Sequence, residues 1–214
     1  MVLSRFFKFH IIPIIILLCG IFLAEAVQAQ PLKLLAFGDS LTAGYGLTQG
    51  EGFAGRLEKK LKENGYDIKV IDGGVSGDTT AGGLSRLDWM LEDKPDFVIL
   101  ELGANDMLRG VSPDITRENL DAMLKIFQDR KIPVLLAGMK AFANLGPAYA
   151  GGFSKIYAGL ADKYDIALYP FFMEGVALDR TLLQDDGLHP TAQGVDKIVE
   201  GIYPDVEKLI KGRK

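Results

Sequence analysis

Cysteine and histidine are almost missing from this chain of 214 residues, which has one cysteine, Cys19, and two histidines, His10 and His189. A lone cysteine excludes an internal disulfide, so the fold must rest on its own core. Basic excess is missing too. With 24 Lys and Arg against 28 Asp and Glu the net charge is -4, leaving nothing to neutralise a phosphate backbone, which excludes a nucleic-acid binder of the usual electrostatic kind. The phosphate loop GxxxxGK[ST] does not occur, Gly44, Gly46 and Gly50 miss GxGxxG by one residue, and there is no GxSxG nucleophile elbow. Repeats and low-complexity tracts are also lacking. What remains is 48% apolar and 24% charged, the composition of one globular domain large enough to bury a substantial core.

The first 29 residues stand apart. Arg5, Lys8 and His10 make a positive start, Ile11 to Leu23 is apolar without a charge, and Ala24, Ala26 and Ala29 supply small residues beyond it. A membrane-spanning helix needs about 20 apolar residues, and this run is shorter, contains Pro13 and is followed by Glu25. The pattern predicts a secretory signal peptide over 1–29, cleaved after Val27-Gln28-Ala29 or, as second choice, after Ala26, and one domain over 30–214. Leu18 before Cys19 argues against a lipoprotein route. Cleavage leaves 22 basic and 27 acidic residues, no cysteine and only His189. The exported chain, periplasmic or secreted, then has no thiol nucleophile, no multi-histidine zinc site and no stable membrane anchor.

Strand and helix signals alternate along the rest. Leu32 to Phe37, Ile68 to Asp72, Phe97 to Leu102, Val134 to Ala137 and Ala167 to Tyr169 are short apolar runs of the kind that form buried parallel strands. Between them, Phe53, Leu57 and Leu61 share a helix face with Gly65 as its stop, and Leu84, Leu87 and Leu91 make a second stripe. Ser112 caps a helix opened by Pro113 and buried through Leu120, Met123, Leu124 and Phe127. A last helix from about Thr191 turns Val195, Ile198, Val199 and Ile202 inward, with Pro204 expected to kink or interrupt it. This order predicts a three-layer α/β/α sandwich around a five-stranded parallel sheet, flavodoxin-like, whose ligands bind at the carboxyl ends of the strands.

The unusual polar clusters fall on that one rim: Gly38-Asp39-Ser40-Leu41, Gly73 to Asp78, Gly103-Ala104-Asn105-Asp106 and Asp185 to Pro190. A serine hydroxyl becomes a useful nucleophile when an imidazole takes its proton and a carboxylate fixes the imidazole's tautomer. Ser40, His189 and Asp186 can fill these roles, with Asp186 three residues before His189 in a turn. The Ser40 N–H, the Gly77 N–H and the Asn105 amide are candidate donors to an oxyanion. Each has an alternative reading: Ser40 as cap of a helix starting near Leu41, Asp186 as a turn former, Asn105 as an Asx-turn, His189 as a packed residue before Pro190. Asp39, Asp78 and Asp106 are expected to give support, Asp78 as the N-cap of the helix after it. Asp72 and Asp185 show no metal-ligand spacing.

Those four blocks, in order and in register, resemble the SGNH or GDSL hydrolases over nearly all of residues 32–211. Ala43-Gly44-Tyr45-Gly46, Ser76-Gly77-Asp78-Thr79-Thr80 and Pro170-Phe171-Phe172-Met173 are similar to its exported thioesterase, protease and lysophospholipase group of arylesterases. The resemblance implies Ser40 as nucleophile, His189 as base, Asp186 as its partner, Ser40, Gly77 and Asn105 as the oxyanion hole, and no metal or organic cofactor. It departs from the pattern at Lys140 to Pro147 and at Met107, expected to narrow the entrance. Leu47, Met107, Leu108, Phe142 and Leu145 are candidates for contact with an acyl chain. The expected activity is hydrolysis of small esters, thioesters or lysolipids, rising with pH through the imidazole range near about 6.5. Rival readings are a carbohydrate or peptidoglycan O-acetylesterase on the same triad and a non-catalytic binding module. A monomer is compatible with the sequence.

Overall fold

A computed structural model describes residues 30–213. The expected signal peptide at 1–29 lies outside the described residues. Apolar runs buried on both faces set the frame. Strands β1 (Leu32–Gly38), β2 (Ile68–Gly74), β3 (Phe97–Glu101), β4 (Val134–Ala137) and β5 (Ala167–Tyr169) form one parallel sheet in the order β2-β1-β3-β4-β5. Every residue of β3 and β4 is buried, whereas β2, at an edge, alternates buried and exposed positions along its first half. This order is the flavodoxin-like one, and its switch point lies between β1 and β3, where ligands of such sheets bind.

The helices are α1 (Ser40–Ala43), α2 (Phe53–Glu63), α3 (Thr80–Met90), α4 (Ala104–Leu108), α5 (Pro113–Asp129), α6 (Pro147–Ser154), α7 (Ile156–Tyr164) and α8 (Ala192–Lys211). α2 packs with α8, while α3, α5 and α7 pack in series. The three-layer sandwich expected from the alternation is what forms. Leu57, Leu61, Leu87, Leu120, Met123, Phe127, Val195, Ile198 and Ile202 are all buried, as the stripes predict, and Leu84 is half-buried. Phe37, Phe53, Phe97, Phe127, Phe153 and Phe172 are fully buried. Burial of such a side chain stabilises by roughly 1.5–3 kcal/mol.

Two local expectations change, and one alternative reading falls. Helix α8 runs through Pro204 without interruption, because Pro204 is exposed and Val206 and Ile210 keep the apolar stripe in the core on its far side. Asp78 does not cap α3. Thr79 does, its hydroxyl accepting from the Gly82 N–H at 3.3 Å, while Asp78 pairs with the Arg86 Nε at 2.6 Å. Ser40 is the first residue of α1 rather than its cap. The cap is Asp39, whose Oδ1 accepts from the Leu41 N–H at 3.0 Å. Helices α4, α6 and α7 carry no prior expectation; α4 is a single turn, and Gly151-Gly152 blunts the helical pattern of α6.

Candidate active site

The rim at the carboxyl ends of β1 and β3 brings together residues 149 positions apart. Ser40 Oγ lies 2.9 Å from His189 Nε2, and His189 Nδ1 lies 2.6 Å from Asp186 Oδ2. The other carboxylate oxygen of Asp186 accepts the N–H groups of Leu188 at 2.9 Å and His189 at 3.0 Å, so one side chain folds the turn and holds the ring. These bonds, the His189 N–H first and then the imidazole, draw the Asp186 carboxyl down to about 2. It therefore stays charged beside the imidazole.

Tyr45 and Gln184, to which the sequence assigns no site role, complete this arrangement. Tyr45, just after α1, sets its ring against that of His189 with centroids 4.5 Å apart and planes tilted by 38°. The Gln184 amide donates to the Tyr45 carbonyl at 2.7 Å and to the Pro190 carbonyl at 2.9 Å, joining the loop of the serine to the loop of the histidine. No local pattern marks Gln184, since its partner is 139 residues away.

Asn105, in the first turn of α4, directs its Nδ2 to Asp39 Oδ2 at 3.0 Å. A primary amide carries two hydrogens, so the second remains for a ligand. Asp39 thereby ties the helix of Ser40 to the side chain of Asn105. Burial raises its carboxyl to about 6 despite the bonds from Leu41 and Asn105 and the nearby imidazole. Gly103 precedes α4 with φ of +120°, and a Cβ there would run into the Tyr157 hydroxyl, so only glycine fits. Buried Asp106 accepts from the N–H and hydroxyl of Thr80 and from the Thr116 hydroxyl, fixing α3 and α5 to α4. Asp39 and Asp106 thus give the support expected of them.

A cavity of about 130 Å³ opens beside Ser40 and His189. Met107, Leu108 and Phe142 line it, as do Met139, Phe171, Met173 and Leu188. The segment after β5 alternates: Phe171 and Met173 face the cavity while Phe172 packs edge-on against Phe53, centroids 5.0 Å apart. Met107 is buried in the wall, and its sulfur accepts from the Phe142 N–H at 3.3 Å, tying the two loops together. Leu47 and Leu145 do not line the cavity: Leu47 packs against the core beside α1, and Leu145 is exposed in a single helical turn. Gly77 also lies outside the lining. It has φ of +85°, and its carbonyl accepts from Arg109 Nη2 at 2.7 Å. Among the described residues, no group of three His, Cys, Asp or Glu is placed to hold a metal, and no helix is long and apolar enough to cross a membrane.

Residues 36–197 match the GDSL-like lipase/acylhydrolase family. The chain is 40% identical to esterase TesA of Pseudomonas aeruginosa over 184 residues, 86% of this chain and 92% of that one. It is 34% identical to thioesterase 1/protease 1/lysophospholipase L1 of Escherichia coli K12 over 208 residues, 97% and 96% of the two chains. The crystal structure of AlinE4, an SGNH-hydrolase family esterase, is similar with a TM-score of 0.71 and 50% identity, covering 83% of this chain and 96% of that one.

Proposed function

Since the chain belongs to the GDSL-like lipase/acylhydrolase family and is an ester hydrolase, we propose that it hydrolyses carboxylic esters and thioesters through an acyl-enzyme on Ser40. The single observation that carries this reading is the hydrogen-bonded series Ser40, His189, Asp186 at the edge of an apolar cavity.

Ser40 attacks the carbonyl carbon as His189 Nε2 takes the hydroxyl proton, and the charge of Asp186 stabilises the imidazolium that forms. The oxyanion is held by the Ser40 N–H, the Gly77 N–H and the free hydrogen of the Asn105 amide; one such donor contributes roughly 100- to 1000-fold in rate. His189 then gives its proton to the leaving alkoxide or thiolate, and water repeats the sequence on the acyl group. Neither a metal nor an organic cofactor has a role in these steps.

The names of those relatives cover ester, thioester and lysophospholipid substrates. A cavity of about 130 Å³ is close to the size that takes up a benzene ring. Acyl or aryl groups of a few carbons therefore fit within it, and longer chains extend into an adjoining surface depression that shares Phe142, Phe171 and Met173 and continues to Leu178 and Thr181. Residues 1–29 act as a signal peptide removed on export, supported by Arg5 and Lys8 ahead of the short apolar run. Intact mass of the exported protein checks this: the chain is expected to start at Gln30, and retention of 1–29 contradicts it.

The activity test is p-nitrophenyl butyrate hydrolysis. Ser40→Ala is expected to lose hydrolysis while keeping the wild-type circular dichroism spectrum and melting transition. Full activity in that variant removes Ser40 from its role.

A further inference from the structure

The buried acidic group that these steps leave unused lies behind the nucleophile. Glu101 ends β3 fully buried, and among the described residues no cation pairs with it. Its Oε2 accepts from the Thr42 hydroxyl at 2.7 Å and from the Asp39 N–H at 3.3 Å, and its Oε1 is buried without a hydrogen-bond partner. In the sheet register Gly38 stands beside Glu101, and a Cβ on Gly38 would run into both Glu101 Oε2 and Thr42 Oγ1. The glycine before Asp39-Ser40 is therefore demanded by the carboxyl and hydroxyl that fill its side-chain space.

The groups facing Glu101 do not supply a counter-charge. Asp39 comes from the junction of β1 and α1 and Thr42 from α1. The buried Tyr157 phenol from α7 is neutral and donates to the Leu102 carbonyl. Arg86 on α3 is bound to Asp78 and to the Gly38 carbonyl. A buried carboxylate with an unsatisfied oxygen and no cation is strongly disfavoured, and a second carboxyl on the same hydrogen-bond system makes double ionisation worse.

We propose that Glu101 is a positioning residue that stands as a neutral carboxylic acid, holding the one proton of the Glu101–Asp39 pair. Its neutrality leaves Asp39 free to carry the charge that orients Asn105 and caps the helix of Ser40. The inference rests on Ser40 and Asn105 acting as set out above. Burial and the Asp39 charge both push the Glu101 carboxyl well above the usual range, and the proton falls to Glu101 because its Oε1 has no donor to stabilise a charge, whereas both Asp39 oxygens accept one.

The experiment compares Glu101→Gln, Glu101→Ala and Thr42→Val with the wild-type enzyme at pH 8, by ester hydrolysis and infrared spectroscopy. Gln mimics the neutral acid, so E101Q is expected to keep kcat within about threefold, whereas E101A lowers kcat by roughly tenfold or more at similar KM, within the limit set by one oxyanion donor. T42V removes one bond to Glu101 at nearly constant volume and is expected to lower kcat several-fold, which decides the matter should E101A not fold. The wild-type spectrum is expected to carry the carbonyl stretch of a protonated carboxylic acid, and E101Q to lack it. Wild-type kcat in folded E101A or in T42V overturns the proposal, as does E101Q with the same loss as E101A and no acid band in the wild type. Failure of the nucleophile assignment is a different result, active Ser40→Ala, which none of these arms reads.

Discussion

Replacing Asp39 by Asn tests whether the oxyanion site and the nucleophile share one frame. Asn caps helices about as well as Asp, so the bond from the Leu41 N–H to residue 39 is retained. What changes is the other oxygen, which accepts the Asn105 amide at 3.0 Å and would become a donor facing a donor. A hydrogen bond to a charged group contributes about 1.5–3 kcal/mol, and each 1.36 kcal/mol is tenfold in rate. Asp39→Asn is therefore expected to lower kcat by roughly 10- to 150-fold, with KM little changed because the loss falls on the transition state. Asn105→Ala removes the donor itself and is expected to cost roughly 100- to 1000-fold. Since Asp39 acts on the chemistry through Asn105, the double variant should be no slower than Asn105→Ala alone. Steady-state kinetics on p-nitrophenyl butyrate for the four proteins closes the cycle. Additive losses, or wild-type kcat in Asp39→Asn, would refute the shared frame.

Asp186→Asn should lower kcat by about 10⁴, as expected when the imidazole is held in the wrong tautomer; a loss under tenfold contradicts its role. Phe172→Ala should destabilise the fold by about 3–5 kcal/mol in urea unfolding, since Phe172 is fully buried against Phe53; under 1 kcal/mol contradicts the packing described. On the acid side, kcat/KM should fall as pH drops through about 6, because Asp39, raised to about 6, must be ionised to orient Asn105. In Asp39→Asn the acid limb is expected to be shallower than in wild type, and an unchanged limb refutes this. Stability follows the signs of the shifts. The folded state holds the Asp39 proton more tightly than the unfolded chain, so this group's contribution falls as pH rises from about 4 through 6. Asp186, lowered to about 2, contributes stability above about 4 that is lost as pH falls toward 2. Urea unfolding at pH 3, 5 and 7 of Asp39→Asn and Asp186→Asn against wild type measures both.

Most of the frame was legible because its causes are local. Phe97 to Leu100 is a short apolar run between Pro95-Asp96 and Gly103, as a strand buried on both faces requires, and Ser112-Pro113 supplies both a cap and a first-turn residue for a helix. Ser40, Asn105, Asp186 and His189 were legible because each follows a strand or turn whose end the apolar runs define. Pro204 misled because one lost backbone bond on an exposed face is outweighed by Val206 and Ile210 on the buried one. Asp78 misled because Arg86, eight residues on, competes for its carboxylate while Thr79 caps equally well. Gln184 and Tyr45 depend on loops that meet only in the folded chain. Glu101 did leave a signal, an acidic residue inside an otherwise apolar strand, and its meaning needed Gly38 and Thr42 beside it. Leu47 and Leu145 show that apolar loop residues near a site are as readily packing or surface as lining.

The most direct measurement is the mass of a covalent adduct formed with a fluorophosphonate at neutral pH. The account predicts stoichiometric modification confined to Ser40, slowed severely in His189→Ala. An unmodified protein that still hydrolyses esters, or an adduct on any other residue, would contradict it.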